Sequence, residues 1–120
     1  MHELTLEMIT GIHDRILAND GGDCRIISEG NLHQLVFRAN LTEDRLARAA
    51  TVLWLLCAFP AFREGNRRTA WRLAEMISAS EGDQVDASCE EVGVLIRGID
   101  AFTVEIEDVE QFLLRHARRS

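Results

Sequence analysis

The sequence has no lysine; all 13 of its basic side chains are arginines. A catalytic lysine is thereby excluded, and any recognition of phosphate or carboxylate has to use guanidinium forks. Positive charge is scarce altogether, since 20 acidic residues leave a formal net charge of −7. Broad affinity for a nucleic-acid backbone needs a basic face, so a nucleic-acid partner is not expected. Cysteine is limited to Cys24, Cys57 and Cys89, odd in number and far apart, with no CxxC pair and no Cys/His cluster. That argues against a disulfide framework and structural zinc, and it fits a reducing compartment. No apolar run approaches the roughly 20 residues that cross a bilayer. The opening MHELTLEM has neither the basic nor the apolar part of an export signal. No membrane partner is expected, and the expected location is cytoplasmic. Proline occurs once, at Pro60, and there is no repeat, linker or low-complexity stretch.

What remains is a globular composition, 47% apolar and 28% charged over 120 residues, enough for one domain, residues 1–120, around one core. Helical periodicity runs through nearly all of it. Leu4 to Ala18 puts Ile9, Ile12, His13 and Ile16 on one face, with Thr5 as N-cap. Asn19-Asp20-Gly21-Gly22-Asp23 ends that helix. Ser28 caps a second helix, to about Ala39, whose inner stripe is Leu32, Leu35, Val36 and Ala39. Thr42 or Asp44 caps a third, Leu46 to Phe59, apolar almost all round and therefore the buried centre of a bundle. A fourth runs from Asn66 to about Ala79 with Trp71, Ala74 and Ile77 inward. A fifth, Ala87 to Ile99, buries Val92, Leu95, Ile96 and Ile99. A short extended piece near Phe102-Thr103-Val104 leads to a sixth, Ile106 to Ala117, with Val109, Phe112 and Leu113 inward. Arg115, His116, Arg118 and Arg119 follow at its C-terminus, where cations complement the helix dipole. The expected fold is all-α, a compact bundle of about six helices.

The stretch FREGNRRTA, Phe62 to Ala70, carries the chemistry. Gly65 permits a sharp reversal. Asn66 is an N-cap residue type, which leaves the N–H groups of Arg67, Arg68 and Thr69 in a first turn without helical acceptors. Those donors and the positive end of the dipole make an anion site. Arg68 adds a fork for a phosphate oxygen. Glu64 lies close enough to share a magnesium ion with the phosphates, and Phe62 anchors the loop in the core. The same residues also fit a plain helix–loop–helix joint with solvated arginines.

FREGNRRTA resembles the signature of the Fic/Doc family, roughly His-x-Phe-x-(Asp/Glu/Asn)-(Gly/Ala)-Asn-(Gly/Lys)-Arg. IHDRIL followed by NDGGDCRIISEGNLHQLVFRAN is similar to the N-terminal half of Doc-type, or death-on-curing, toxins, so the likeness spans nearly the whole chain. The resemblance implies a Fic/Doc-like bundle that takes ATP or another nucleoside triphosphate with Mg2+. Phe62 would be the loop anchor, Glu64 the metal support, and Gly65, Asn66, Arg67, Arg68 and Thr69 the phosphate loop. Arg67 stands where AMP-transferring members have glycine and Doc proteins have lysine, which sides with the phosphotransferase branch. Active relatives modify a hydroxyl of a translation factor and are restrained by an antitoxin peptide.

One departure is severe. The family's general base is a histidine two residues before the phenylalanine, and here that residue is Pro60, which cannot take a proton. Assistance of that kind contributes about 10²–10⁴-fold, so transfer is expected to be lost or impaired while phosphate binding persists. His13 is the first substitute to consider, although its place on an apolar helix face suits a core histidine. His33 lies off its inner stripe, and His2 and His116 lie near the termini. Asp14 and Glu29 suit capping or packing. A non-catalytic interaction module on the same scaffold is the alternative, and an enzyme with a relocated base is a third reading.

Overall fold

The computed structural model describes residues 3–119, so His2 lies outside the described residues. Among them are six helices: α1 (Leu6–Asp20), α2 (Glu29–Leu41), α3 (Arg45–Ala58), α4 (Asn66–Ala79), α5 (Cys89–Asp100) and α6 (Ile106–His116). Local chemistry sets their starts. Thr5, Ser28 and Asp44 each accept a first-turn N–H through the side chain. Ser88 and Glu91 form a reciprocal capping box before α5. The expectation of an all-α bundle of about six helices holds.

The central helix is α3. Ala49, Ala50, Val52, Leu53 and Leu56 are buried on it, and it packs against α2, α4, α5 and α6. Its neighbours contribute Ile9 and Ile12 from α1, Leu32 and Leu35 from α2, Leu73 from α4, Ile99 from α5, and Val109 and Leu113 from α6. On α4 the inward face is centred on Thr69, Ala70, Leu73 and Ala74; Trp71 and Ile77 are only half-buried.

Two segments differ from the sequence reading. Phe102-Thr103-Val104 is a tight turn and not an extended piece, because the Thr103 and Val104 N–H groups both return to the Gly98 carbonyl (2.9 and 3.2 Å). The Trp54 indole N–H holds that turn against α3 by donating to the Val104 carbonyl at 2.7 Å. The only named strands among the described residues lie elsewhere. β1 (Asp83–Val85) and β2 (Ala117–Arg119) pair antiparallel, with Gln84 opposite Arg118. Ala117, expected as the last helical residue, and Arg118 and Arg119 after it lie in this ribbon. No helix among the described residues is long and apolar enough to cross a membrane.

Candidate functional site

The loop between α3 and α4 is built from side chains that bind backbone. Asn66 is the first residue of α4 and does not cap it; the N-cap position belongs to Gly65, with φ +82°. The Asn66 carboxamide turns back instead. Its Oδ1 accepts the N–H groups of Ala61 and Phe62, each at 3.0 Å, and its Nδ2 donates to the Phe62 carbonyl at 2.7 Å. Those bonds fold residues 61–66 into one rigid reversal. On its outer side the segment pairs with the α1–α2 connection: Ile26 bridges Phe62, and Arg63 N–H donates to the Arg25 carbonyl at 2.9 Å. Asn31 donates to the Pro60 carbonyl at 2.9 Å.

From below, His13 holds the loop. Its imidazole is fully buried and stacks on Phe62 with centroids 3.6 Å apart and planes inclined by 10°. Its Nε2 lies 2.7 Å from the Glu64 carbonyl, which places the proton on Nε2. A Cβ at residue 65 would stand 3.0 Å from a Leu17 methyl and 3.2 Å from His13 Nε2, in a backbone region that favours glycine anyway. His13 is thus a core histidine that supports the loop. Buried and bonded from beneath, it does not line the cavity described next and cannot serve as the substitute base. His33 is exposed on α2, and His116 faces Glu91 at the far end of α6.

Above the loop opens a cavity of about 510 Å³, lined by Cys57, Pro60, the run 63–68 and Asp100. The first bond inside α4 is Thr69 N–H to the Gly65 carbonyl at 3.0 Å. The Thr69 N–H is therefore already satisfied and the residue is fully buried, its hydroxyl without a hydrogen-bond partner, and the helix leaves the amides of Asn66, Arg67 and Arg68 without internal acceptors. The guanidinium groups do not converge on one point. Arg67 bridges to Asp100, and Arg68 meets Asp20 at 2.8 Å. Arg63 lies 3.4 Å from Asp23. Asp23 is itself held to about pKa 2, first by the Arg25 side-chain hydrogen bond and then by the Arg25 backbone N–H. Glu64 lines the cavity, but its Oε2 accepts the Asp23 N–H.

That arrangement bears on a metal. Among the described residues no group of three or more His, Cys, Asp or Glu side chains is set to hold one alone. Magnesium keeps several waters and commonly takes one or two carboxylates plus substrate phosphates, so Glu64 suits a shared ion and no more.

Asp20, Asp23 and Asp100, the partners of these arginines, were not singled out from the sequence. Asp20 is the last residue of α1, Asp23 sits in the loop that follows it, and Asp100 is the last residue of α5. Nothing local marks them; only the packing of α1 against α4 and of α5 against α3 brings them to the site. No family model matches the chain, and no curated protein matches it.

Proposed function

We propose that this chain is a Fic/Doc-like protein of the Doc type that seats the phosphates of a nucleoside triphosphate at the start of α4, with the family's phosphotransferase activity lost or impaired. The cavity carries this reading: Arg63, Arg67 and Arg68 line one open space beside Pro60 at the start of α4, where the helix leaves the amides of Asn66, Arg67 and Arg68 without acceptors of its own. The Asn66 and His13 bonds hold those amides in place before any anion arrives, which lowers the cost of ordering on binding. Existing partners do not block the site. Exposed ion pairs are worth about 0–1 kcal/mol, and the Arg68 and Asp20 side chains are about half exposed. A triphosphate offers the same forks more charge. Mg2+ bound with it would neutralise part of that charge, with Glu64 as the protein ligand. A histidine in place of Pro60 would supply the missing base. Active relatives would imply a cytoplasmic toxin–antitoxin setting, a translation-factor target and an antitoxin peptide as partners.

Titration with MgATP tests the reading. Wild-type protein should bind, and Arg68→Ala should bind about tenfold or more weakly, as expected for a lost charged hydrogen bond of about 1.5–3 kcal/mol. Equal, weak binding by both proteins would overturn it.

A non-catalytic interaction module is the second reading. It is favoured by a specific observation: Arg63, Arg67 and Arg68 each already face a carboxylate. Near them Phe59 and Phe102 stand about half exposed around Trp54, in ring contacts of 5.8–6.3 Å.

A further inference from the structure

Two carboxylates line the cavity beside Pro60, those of Glu64 and Asp100. Glu64 serves the loop and, in the nucleotide reading, the metal: its Oε2 accepts the Asp23 N–H, and its remaining lone pairs are those assigned to Mg2+. Asp100 is different: its carboxylate is about one-quarter exposed, and it pairs with the largely exposed guanidinium of Arg67. Its position is well fixed. The turn after α5 folds back so closely that a Cβ on Gly98 would stand 2.3 Å from a Val104 methyl. Trp54 pins the same turn to α3.

We propose that Asp100 is the proton acceptor of this cavity, masked by Arg67 and released when a phosphate takes that guanidinium. The inference rests on the nucleotide reading and names the group that replaces the missing base. A hydroxyl oxygen, of water or of an alcohol side chain, attacks the terminal phosphorus of a nucleoside triphosphate. The new oxygen–phosphorus bond forms as the bond to the bridging oxygen breaks. The nucleoside diphosphate leaves with that electron pair, and the hydroxyl proton passes to the Asp100 carboxylate. Arg67 must change partners for this to happen, so the base is exposed only when the phosphate is seated.

The groups facing Asp100 support the assignment. Cys57 on α3 also lines the cavity, but burial, and then the charge of Asp100, push its thiol up to about 12, with Arg67 opposing. It stays protonated and is no base. Arg67 on α4 is a cation, and Pro60 has no titratable group.

The test uses ATP labelled at the γ-phosphate, with Mg2+, and follows label passing to water and to the proteins of a cell extract. MgATP binding is measured in parallel by calorimetry. Wild-type protein should transfer label slowly. Asp100→Asn should transfer about 10²–10⁴-fold less, the usual worth of a positioned base, while binding MgATP at least as tightly, because Arg67 has lost its competitor. Asp100→Glu should keep part of the activity. Adding Pro60→His to Asp100→Asn should restore transfer. Wild-type protein that binds MgATP but transfers nothing overturns the inference and leaves the phosphate seat standing. So does Asp100→Asn that transfers normally or binds more weakly. Protein that fails to bind MgATP at all overturns both.

Discussion

At the scale of single residues, the site is organised by two side chains whose hydrogen bonds go to the loop's own backbone. Asn66 spends all of its hydrogen bonds on the backbone of Ala61 and Phe62, and His13 spends its N–H on the Glu64 carbonyl. An asparagine followed by arginines reads as a capping residue in the sequence. The fold uses it as a brace, because Gly65 takes the left-handed cap position and frees the carboxamide. His13 was legible as a core residue from its helical face, but its partner was not, since the Glu64 carbonyl lies far along the chain. Replacing His13 with alanine should leave that part-buried carbonyl unpaired, at about 1–3 kcal/mol, and forfeit the stacking on Phe62, at about 0.5–1.5 kcal/mol. His13→Ala should therefore lose about 2–4 kcal/mol in urea unfolding and bind MgATP more weakly, although His13 does not line the cavity. A variant with wild-type stability and affinity would show that the loop stands without this support.

At the scale of elements, the helices were legible because each signal is local. Thr5, Ser28 and Asp44 announce helix starts, and the nearly unbroken apolar run of α3 announces its burial. The β1–β2 ribbon was not legible. Its strands are three residues each, too short for an alternating pattern, and their pairing joins segments from opposite sides of α5 and α6. The Arg67–Asp100 pair was hidden for the same reason. The placement of Asp100 depends on how closely the turn after α5 can approach the helix. A Cβ at Gly98 meets the branched Val104 side chain at 2.3 and 3.3 Å, and Val104 is tied through its carbonyl to Trp54. Such overpacking costs about 1–3 kcal/mol, while alanine gains about 1 kcal/mol in helix propensity. Gly98→Ala should thus be destabilising by up to about 2 kcal/mol and should move Asp100 away from Arg67. Its thermal midpoint should fall, and the Trp54 fluorescence should shift as the turn lifts; an unchanged midpoint would mean the turn yields freely.

For the molecule as a whole, the tie between α5 and the last turn of α6 is a pH-dependent contact. His116, the last residue of α6, lies between two acceptors: Nδ1 is 2.8 Å from the Phe112 carbonyl and Nε2 is 3.0 Å from a Glu91 carboxylate oxygen. Both ring nitrogens can donate only in the imidazolium form. The pKa of His116 is accordingly raised above 6.5, first by the Phe112 carbonyl and then by Glu91, with Arg115 opposing. Glu91 is lowered from 4.5 to about 2, first by the Ser88 N–H and then by His116. A raised folded pKa gives stability that is complete below 6.5 and is lost as pH climbs through the folded value. A lowered one gives stability present above 4.5 and lost as pH falls toward about 2. The tie between α5 and α6 is therefore complete between pH 4.5 and 6.5. The His116 carbonyl also accepts the Asp86 N–H at 2.8 Å beside the β1–β2 ribbon, so loosening the helix end should loosen the ribbon with it. Thermal midpoints of wild type and His116→Gln should differ most near pH 5.5 and converge toward pH 9, with the ribbon amides exchanging faster as the gap closes. A wild-type advantage that stays constant across that range would show that the imidazole contributes by packing on Phe112 and not by its charge.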